Sequence, residues 1–195
     1  MLKDDKMKNE QLTKLIRLCE QESMEPFVFS CGNTDARIML VGEAPGAKEI
    51  ELGKPFVGQA GKNLDEFLEI IALDRKDIYI TNVVKIRPHK VNEKTGRKSN
   101  RPPNVKEIEK YSRYLYEEIA IIQPELIVTL GNVPLKTVIG KKDVIIGNIH
   151  GIPQKQDDYY IFPLYHPASI IYNQSLKSTY MNDLTELKKF IEKLY

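Results

Sequence analysis

Val41-Gly42-Glu43-Ala44-Pro45-Gly46 is followed closely by a second stretch that also contains glycines and a proline, Gly53-Lys54-Pro55-Phe56-Val57-Gly58. An apolar run over 36–41 predicts a buried strand before this loop, and a helical pattern follows it from about Ala60. The loop therefore lies at the carboxyl end of a strand, the edge where open α/β sheets bind ligands. Its glycines allow close backbone approach and its prolines restrict the backbone. A plain connecting loop is the alternative, and the glycine spacing fits neither a phosphate-binding loop nor a dinucleotide fingerprint.

Composition predicts one soluble domain spanning residues 1–195. The chain is 42% apolar and 29% charged, which is ordinary for a globular protein. No apolar run approaches about 18 residues, so we expect no membrane span, and the charged first residues contain no signal peptide. Cys19 and Cys31 are too few for a four-thiolate site. Without an export signal, they are expected to be free thiols in a reducing cytoplasm.

Predicted strands and helices alternate along the chain. Strands are predicted over 37–42, 77–84, 125–130 and 159–162, with further short ones over 27–29 and 144–149. Helices are predicted over 8–22, 60–72, 104–122, 132–140 and 178–194. Asn104 and Glu107 form the pattern of a capping box at the start of the third helix. This alternation predicts an α/β protein with a mainly parallel sheet covered on both faces.

The segment from Lys85 to Arg101 concentrates positive charge. It contains seven basic residues and one acid, Glu93, for a formal charge of +6 in a chain whose net charge is +2. Prolines and a glycine exclude a helix here. A basic loop on an otherwise acidic body favours a local polyanion contact, with a solvated mobile loop as the equal alternative.

Polar residues follow each main predicted strand. The first strand leads to Glu43, the second to Asn82 and Lys85, the third to Thr129 and Asn132, and the last to Tyr165-His166-Pro167. The carboxyl ends of parallel strands meet at one edge, so these side chains are expected to converge. Taken alone, a histidine before proline is more often a structural turn residue, and Phe56 is as often core as site. The histidines lack metal-ligand spacing, so no metal site is predicted, and no nucleophile-elbow serine is present.

Six stretches in order identify the chain as similar to the uracil-DNA glycosylases, and specifically to family four. They are Gly42-Glu43-Ala44-Pro45-Gly46, Gly53-Lys54-Pro55-Phe56-Val57-Gly58-Gln59-Ala60-Gly61, Tyr79-Ile80-Thr81-Asn82-Val83-Val84-Lys85, Asn100-Arg101-Pro102-Pro103, Leu126-Ile127-Val128-Thr129-Leu130-Gly131 and Tyr165-His166-Pro167-Ala168. They span about 35–187. The resemblance implies a three-layer α/β/α fold with a central, mainly parallel four-stranded sheet.

The resemblance also implies roles for individual residues. Phe56 would stack on the uracil ring, Asn82 would read its polar edge, and His166 would donate to the carbonyl on which negative charge develops. The acids expected to place or polarise the attacking water are Glu43 and Glu49. Ala44 lines the substrate site at the position of the aspartate that activates water in the best-known family. Expected DNA contacts are Lys85, Arg87, Asn100 and Arg101, with Ile170 or Ile171 as the apolar wedge in the base stack.

One departure concerns a cofactor. Family-four members usually hold an iron–sulfur cluster on four cysteines, two of them N-terminal and two at the positions of Ile86 and about Tyr111. Here only Cys19 matches an N-terminal ligand. We therefore expect the protein to have no cofactor, and we expect apolar packing near Ile86 and Tyr111 to replace the cluster.

The resulting hypothesis is a cytoplasmic, monomeric glycosylase that flips uracil out of DNA and hydrolyses its N-glycosidic bond in base-excision repair. The alternatives are a protein that binds uracil-containing DNA without turnover, or traps it covalently, an inactive nucleic-acid-binding module, and a glycosylase for another deaminated base such as hypoxanthine. The Lys-Arg-Arg-Ile-His loop of the covalent branch is absent from the sequence.

Overall fold

A computed structural model describes the backbone of residues 2–195 and the side chains of residues 6–170 and 173–195. The strands are β1 (Cys31–Gly32), β2 (Ile38–Gly42), β3 (Ile78–Asn82), β4 (His89–Val91), β5 (Lys98–Asn100), β6 (Leu126–Leu130), β7 (Gln154–Lys155) and β8 (Tyr160–Leu164). The α-helices are α1 (Leu2–Glu22), α2 (Ala47–Leu52), α3 (Gln59–Ile70), α4 (Val105–Ile122), α5 (Asn132–Ile139), α6 (Ile146–Ile149), α7 (Ser169–Tyr172) and α8 (Lys177–Leu194). Short 3₁₀ turns cover Arg75–Asp77 and Gln174–Leu176.

The predicted four-stranded parallel sheet is confirmed. Its strands lie in the order β3-β2-β6-β8, and all three neighbouring pairs are parallel. The two-residue strands β1 and β7 extend it at the edges as antiparallel partners. In the register, Gly42 lies opposite Asn82, and Leu130 lies opposite Leu164. The carboxyl ends of the four strands are therefore level, and the loops that follow them share one edge.

Two apolar layers cover the two faces of the sheet. Along β2, Met39 and Val41 face the layer of α1, α4 and α5, whereas Ile38 and Leu40 face the layer of α3 and α8. This alternation is the period-two pattern of a strand buried on both faces. The three-layer α/β/α architecture follows from it. Among the described residues, no helix combines the length and apolarity needed to cross a membrane.

Two short predicted strands are wrong. Over 144–149 the chain forms α6 instead, because the side-chain Oδ1 of Asn132 accepts the Ile146 N–H at 2.9 Å and caps the helix. This tertiary cap overrides the β propensity of the isoleucines and valine. Over 27–29 there is only an isolated bridge between Phe27 and Ile86.

The opening loop and the basic segment are more ordered than expected. Between Gly46 and Gly53 the loop contains α2, which the glycine-rich sequence did not indicate. Residues 89–100 pair as the hairpin β4–β5, which we call the basic hairpin. The predicted capping box is confirmed: Asn104 accepts the Glu107 N–H at 2.9 Å, and Glu107 accepts the Asn104 N–H at 2.7 Å.

Candidate active site

A cavity of about 350 Å³ opens at the carboxyl edge of the sheet, where the loops after β2, β3 and β8 meet. Six of the residues expected from sequence line it: Ala44, Glu49, Phe56, Asn82, Asn100 and His166. The remaining lining comes mainly from the loop over 46–60 and from Ala168. The convergence expected from the strand ends is therefore present in the structure.

Gly42 lies between the two side chains at the base of this cavity. A Cβ on Gly42 would lie 2.3 Å from Oδ1 of Asn82 and 2.5 Å from the Phe56 ring. Such separations are far inside van der Waals contact, so only glycine lets the aromatic ring and the amide approach the strand end together. Both Phe56 and Asn82 are buried, which fixes them relative to each other.

Phe56 has a left-handed backbone conformation, with φ of 52°. Such a conformation is uncommon for a bulky residue and persists only where the surroundings hold it. The guanidinium of Arg75 donates to the Phe56 carbonyl at 2.8 Å and to the Gly61 carbonyl at 3.1 Å, and Asp65 holds that guanidinium at 2.6 Å. Sequence reasoning missed Arg75, because nothing near it in the chain indicates that it reaches the loop before α3.

Glu49 holds the opening loop together. Its buried carboxylate accepts three backbone hydrogen bonds, from Gly46 at 3.1 Å, Val57 at 3.0 Å and Gly58 at 2.7 Å. These donors join the two halves of the loop across α2. Glu49 therefore shapes the cavity wall, and its Oε2, which accepts only the Gly46 N–H, keeps acceptor capacity at the cavity.

Glu43 differs from Glu49 in its hydrogen bonding. It is partly buried, and no hydrogen bond to its side chain is found among the described residues. Burial raises the pKa of Glu43 above its ordinary value of 4.5. Its carbonyl accepts the Val84 N–H at 3.0 Å, which fixes the backbone beside β3. Glu43 is not itself among the residues that line the cavity, but its neighbour Ala44 is. An acid with a raised pKa is suited to accept a proton from water.

His166 presents a defined tautomer to the cavity. Its Nδ1 lies 3.1 Å from the backbone N–H of Ala168 and accepts a hydrogen bond from it, so in the neutral ring the proton is on Nε2. Burial lowers the pKa of His166 below the ordinary 6.5, which favours that neutral ring at pH 7. The Nε2–H group is then a hydrogen-bond donor held in place by the turn into α7.

The expected DNA-contacting residues separate into different environments. The prediction for Lys85 is wrong, because its side chain is fully buried and its ammonium lies 2.5 Å from Glu118. Arg87 donates from Nε to Oδ1 of Asn100 at 2.7 Å, at the base of the basic hairpin. Arg101 forms a two-point ion pair with Glu107, at 2.6 and 2.8 Å, which ties the hairpin to α4.

The exposed charge lies further along the basic hairpin. Lys90, Lys94, Arg97 and Lys98 are all exposed. Ile170 is partly buried in α7 and packs on the layer of α3 and α8. The side chain of Ile171, the alternative wedge residue, lies outside the described residues.

The residues at the expected cluster positions do not fit an iron–sulfur cluster. Cys19, Ile86 and Tyr111 pack in one apolar layer, whereas Cys31 packs on the opposite face of the sheet. Within the described part of the chain, no group of three histidine, cysteine or acidic residues is arranged to hold a metal. Isoleucine supplies no ligand, so four-thiolate ligation is excluded at these positions.

Comparison with known proteins gives a consistent result. Residues 29–194 match the family model of the uracil DNA glycosylase superfamily. The type-4 uracil-DNA glycosylase of Archaeoglobus fulgidus is 35% identical over 168 residues, covering 83% of this chain and 80% of that protein. The type-4 enzymes of Sulfurisphaera tokodaii and Thermotoga maritima are 38% and 37% identical, covering 81% and 83% of this chain and 71% and 81% of those proteins.

Proposed function

Since this chain belongs to the uracil DNA glycosylase superfamily, we propose that it is a uracil-DNA glycosylase of the type-4 kind. It removes uracil from DNA by hydrolysing the N-glycosidic bond, the opening step of base-excision repair. The observation that carries the proposal is the convergence of Phe56, Asn82 and His166 on one cavity at the carboxyl edge of the sheet. An aromatic face, an amide and an imidazole donor are the groups that a flipped pyrimidine requires.

Base recognition uses the two side chains that Gly42 brings together. The uracil leaves the base stack at a cost of a few kcal/mol, and stacking on the Phe56 ring together with hydrogen bonds from Asn82 offset that cost. The Asn82 amide offers both a donor and an acceptor, which match a carbonyl and the adjacent ring N–H of uracil. Arg75 and Glu49 preorganise this pocket by holding the loop that carries Phe56.

Bond cleavage transfers an electron pair to the base. The bond between C1′ and the uracil nitrogen breaks, its electrons go to the ring, and the oxygen of a water bonds to C1′. Glu43 accepts a proton from that water, and the uracil anion is afterwards protonated from solvent. The Nε2–H of His166 stabilises the developing charge on a uracil oxygen, and one such donor supplies roughly 3–4 kcal/mol.

Three further properties belong to the same proposal. The enzyme works without an iron–sulfur cluster, which the packing of Ile86 and Tyr111 supports. The protein acts as one domain over residues 1–195 and as a monomer in the cytoplasm, where it meets its DNA substrate. The exposed lysines and arginine of the basic hairpin contact DNA phosphates.

Release of free base from oligonucleotides tests the function. We expect release from uracil-containing DNA, and orders of magnitude less in folded Phe56→Ala and Asn82→Ala. Asn148→Ala is the matched control, because Asn148 is exposed and does not line the cavity. Release of free base from hypoxanthine- or thymine-containing DNA would identify a different base specificity. Binding of uracil-containing DNA without base release would identify a binding protein and refute the proposal.

A further inference from the structure

A fully buried polar network lies directly behind the cavity. Lys85 and Glu118 are both 0% exposed, and Nζ of Lys85 lies 2.5 Å from Oε2 of Glu118. Glu118 also accepts hydrogen bonds from the Tyr79 hydroxyl at 3.0 Å and from the Thr81 hydroxyl at 2.9 Å. The network therefore links α4 to β3 through the apolar layer beneath the sheet.

The network ends at the residue that reads the base. Nζ of Lys85 donates to the Asn82 carbonyl at 2.9 Å and to the Thr81 hydroxyl at 2.7 Å. Lys85 thereby closes the turn over 82–85, three residues after the strand end. Within that turn, Val83 N–H donates to the Gly42 carbonyl at 2.9 Å, which joins it to β2. The closed turn therefore contacts the backbone from which the Asn82 side chain leaves β3.

Stability alone does not account for a charged pair at this place. Desolvating two charges commonly costs as much as their attraction returns, and apolar residues of similar size often replace such pairs without loss of stability. The same sheet is joined at its other edge by an exposed pair, Arg37 with Glu125, at the amino ends of β2 and β6. The buried pair is found only on the side that carries the cavity, among the described residues, and it contacts Asn82.

We infer that Lys85 and Glu118 are positioning residues, which hold the Asn82 backbone so that its amide meets the flipped base at the correct angle. The inference rests on the proposed function. Misplacing a recognition group by about 1 Å costs roughly 100-fold in rate. Because the Lys85 ammonium is buried and paired, it acts through Asn82 and does not touch DNA.

An apolar replacement of the network tests this inference. The triple variant Thr81→Val/Lys85→Met/Glu118→Leu removes both charges and the hydroxyl that joins them. We expect a melting temperature near that of the wild type, a single-turnover rate of uracil release lowered about 100-fold, and affinity for uracil-containing DNA changed far less. Arg37→Met/Glu125→Leu is the matched control and should release uracil at the wild-type rate.

A double-mutant cycle with Asn82→Ala distinguishes positioning from general damage. If the network acts through the Asn82 side chain, adding the triple replacement to Asn82→Ala should cost less than twofold further in rate. Full additivity of the two losses, or wild-type release by the folded triple variant, would overturn the inference. If the triple variant does not fold, the single variant Thr81→Val is measured in the same cycle, with the same two outcomes. Absence of uracil release by the wild type would instead refute the proposed function.

Discussion

Nδ1 of His166 accepts a 3.1 Å hydrogen bond from the backbone N–H of Ala168. This contact fixes both the ring orientation and the tautomer, because an accepting Nδ1 leaves the proton of the neutral ring on Nε2. A neutral donor aimed at the leaving base acts more on the transition state than on the bound substrate, since the charge it stabilises appears only as the bond breaks.

We therefore expect His166→Ala to lower the turnover number about 100- to 1,000-fold, as for the loss of one oxyanion donor, with little change in affinity for uracil-containing DNA. Single-turnover rates and equilibrium binding measure the two quantities separately. Asn148→Ala is the control, because Asn148 is exposed and lies outside both the cavity lining and the basic hairpin. Lost binding with turnover unchanged would show that His166 only shapes the DNA-facing loop.

The pH dependence of turnover should identify Glu43. Burial raises the pKa of Glu43 above 4.5, and a proton acceptor is active only when ionised. Turnover should fall as the pH drops through this raised pKa, and Glu43→Gln should be slow at every pH without that acid limb. The lowered pKa of His166 places its own titration below pH 6.5, so no His166 inflection is expected at neutral pH. An unchanged acid limb in Glu43→Gln would assign the water to another group.

Gly42→Ala should damage the pocket without unfolding the protein. The added methyl group would meet Asn82 Oδ1 at 2.3 Å and the Phe56 ring at 2.5 Å, so one of these side chains must move. We expect uracil release to fall at least about 100-fold, because misplacement by about 1 Å has that effect. Gly147→Ala is the matched control, because the nearest atom to its added Cβ is at an ordinary 3.6 Å. Unimpaired release by Gly42→Ala would place the base elsewhere.

The salt dependence of binding tests the basic hairpin. Each phosphate contact steepens the decline of log affinity against log salt concentration by about 0.7 to 0.9. Neutralising the exposed residues Lys94, Arg97 and Lys98 together, as glutamines, should flatten that slope and leave the rate from bound DNA unchanged. Substituting Lys141 and Lys142, which are exposed outside the hairpin, controls for the change in net charge. An identical slope in the hairpin variant would show that the hairpin does not touch DNA.

Purified protein should contain no iron, even when it is prepared without oxygen. Four ligands are needed for a four-iron cluster, and the chain has two cysteines, which pack on opposite faces of the sheet. Elemental analysis measures the iron content directly, and the visible absorption spectrum shows whether a cluster is present. Stoichiometric iron with cluster absorbance would contradict the proposal of a cofactor-free enzyme.

The sequence was sufficient for the parts of the molecule that depend on local pattern. Buried strands read as apolar runs, so the mainly parallel sheet and the approach of Asn82 and His166 could be predicted from strand ends, whereas the number of strands and the role of Phe56 came from the family resemblance. The burial of Lys85 could not be predicted, because in the linear chain this residue begins a basic segment. Its partner Glu118 lies 33 residues away on α4. The burial that separates Lys85 from its basic neighbours is a property of the packed layer.

Glu49 and α6 show the same limit in two other ways. A glutamate in a glycine-rich loop is chemically suited either to water or to backbone N–H groups, and only the folded loop shows that three amides donate to it. The residues of α6 have β propensity, yet a side chain 14 residues earlier caps them as a helix. Both outcomes depend on contacts that no local pattern encodes.

The basic hairpin has a fixed base and an open tip. Its base is tied to the cavity by Asn100 and to α4 by Arg101, whereas the turn over 92–96 is exposed and closed by a 2.8 Å bond from Gly96 N–H to the Asn92 carbonyl. Chain inserted at such a tip displaces no packed group. A short labelling tag placed after Thr95 would thus leave base removal intact while carrying a fluorophore to the DNA, and turnover could be followed one molecule at a time.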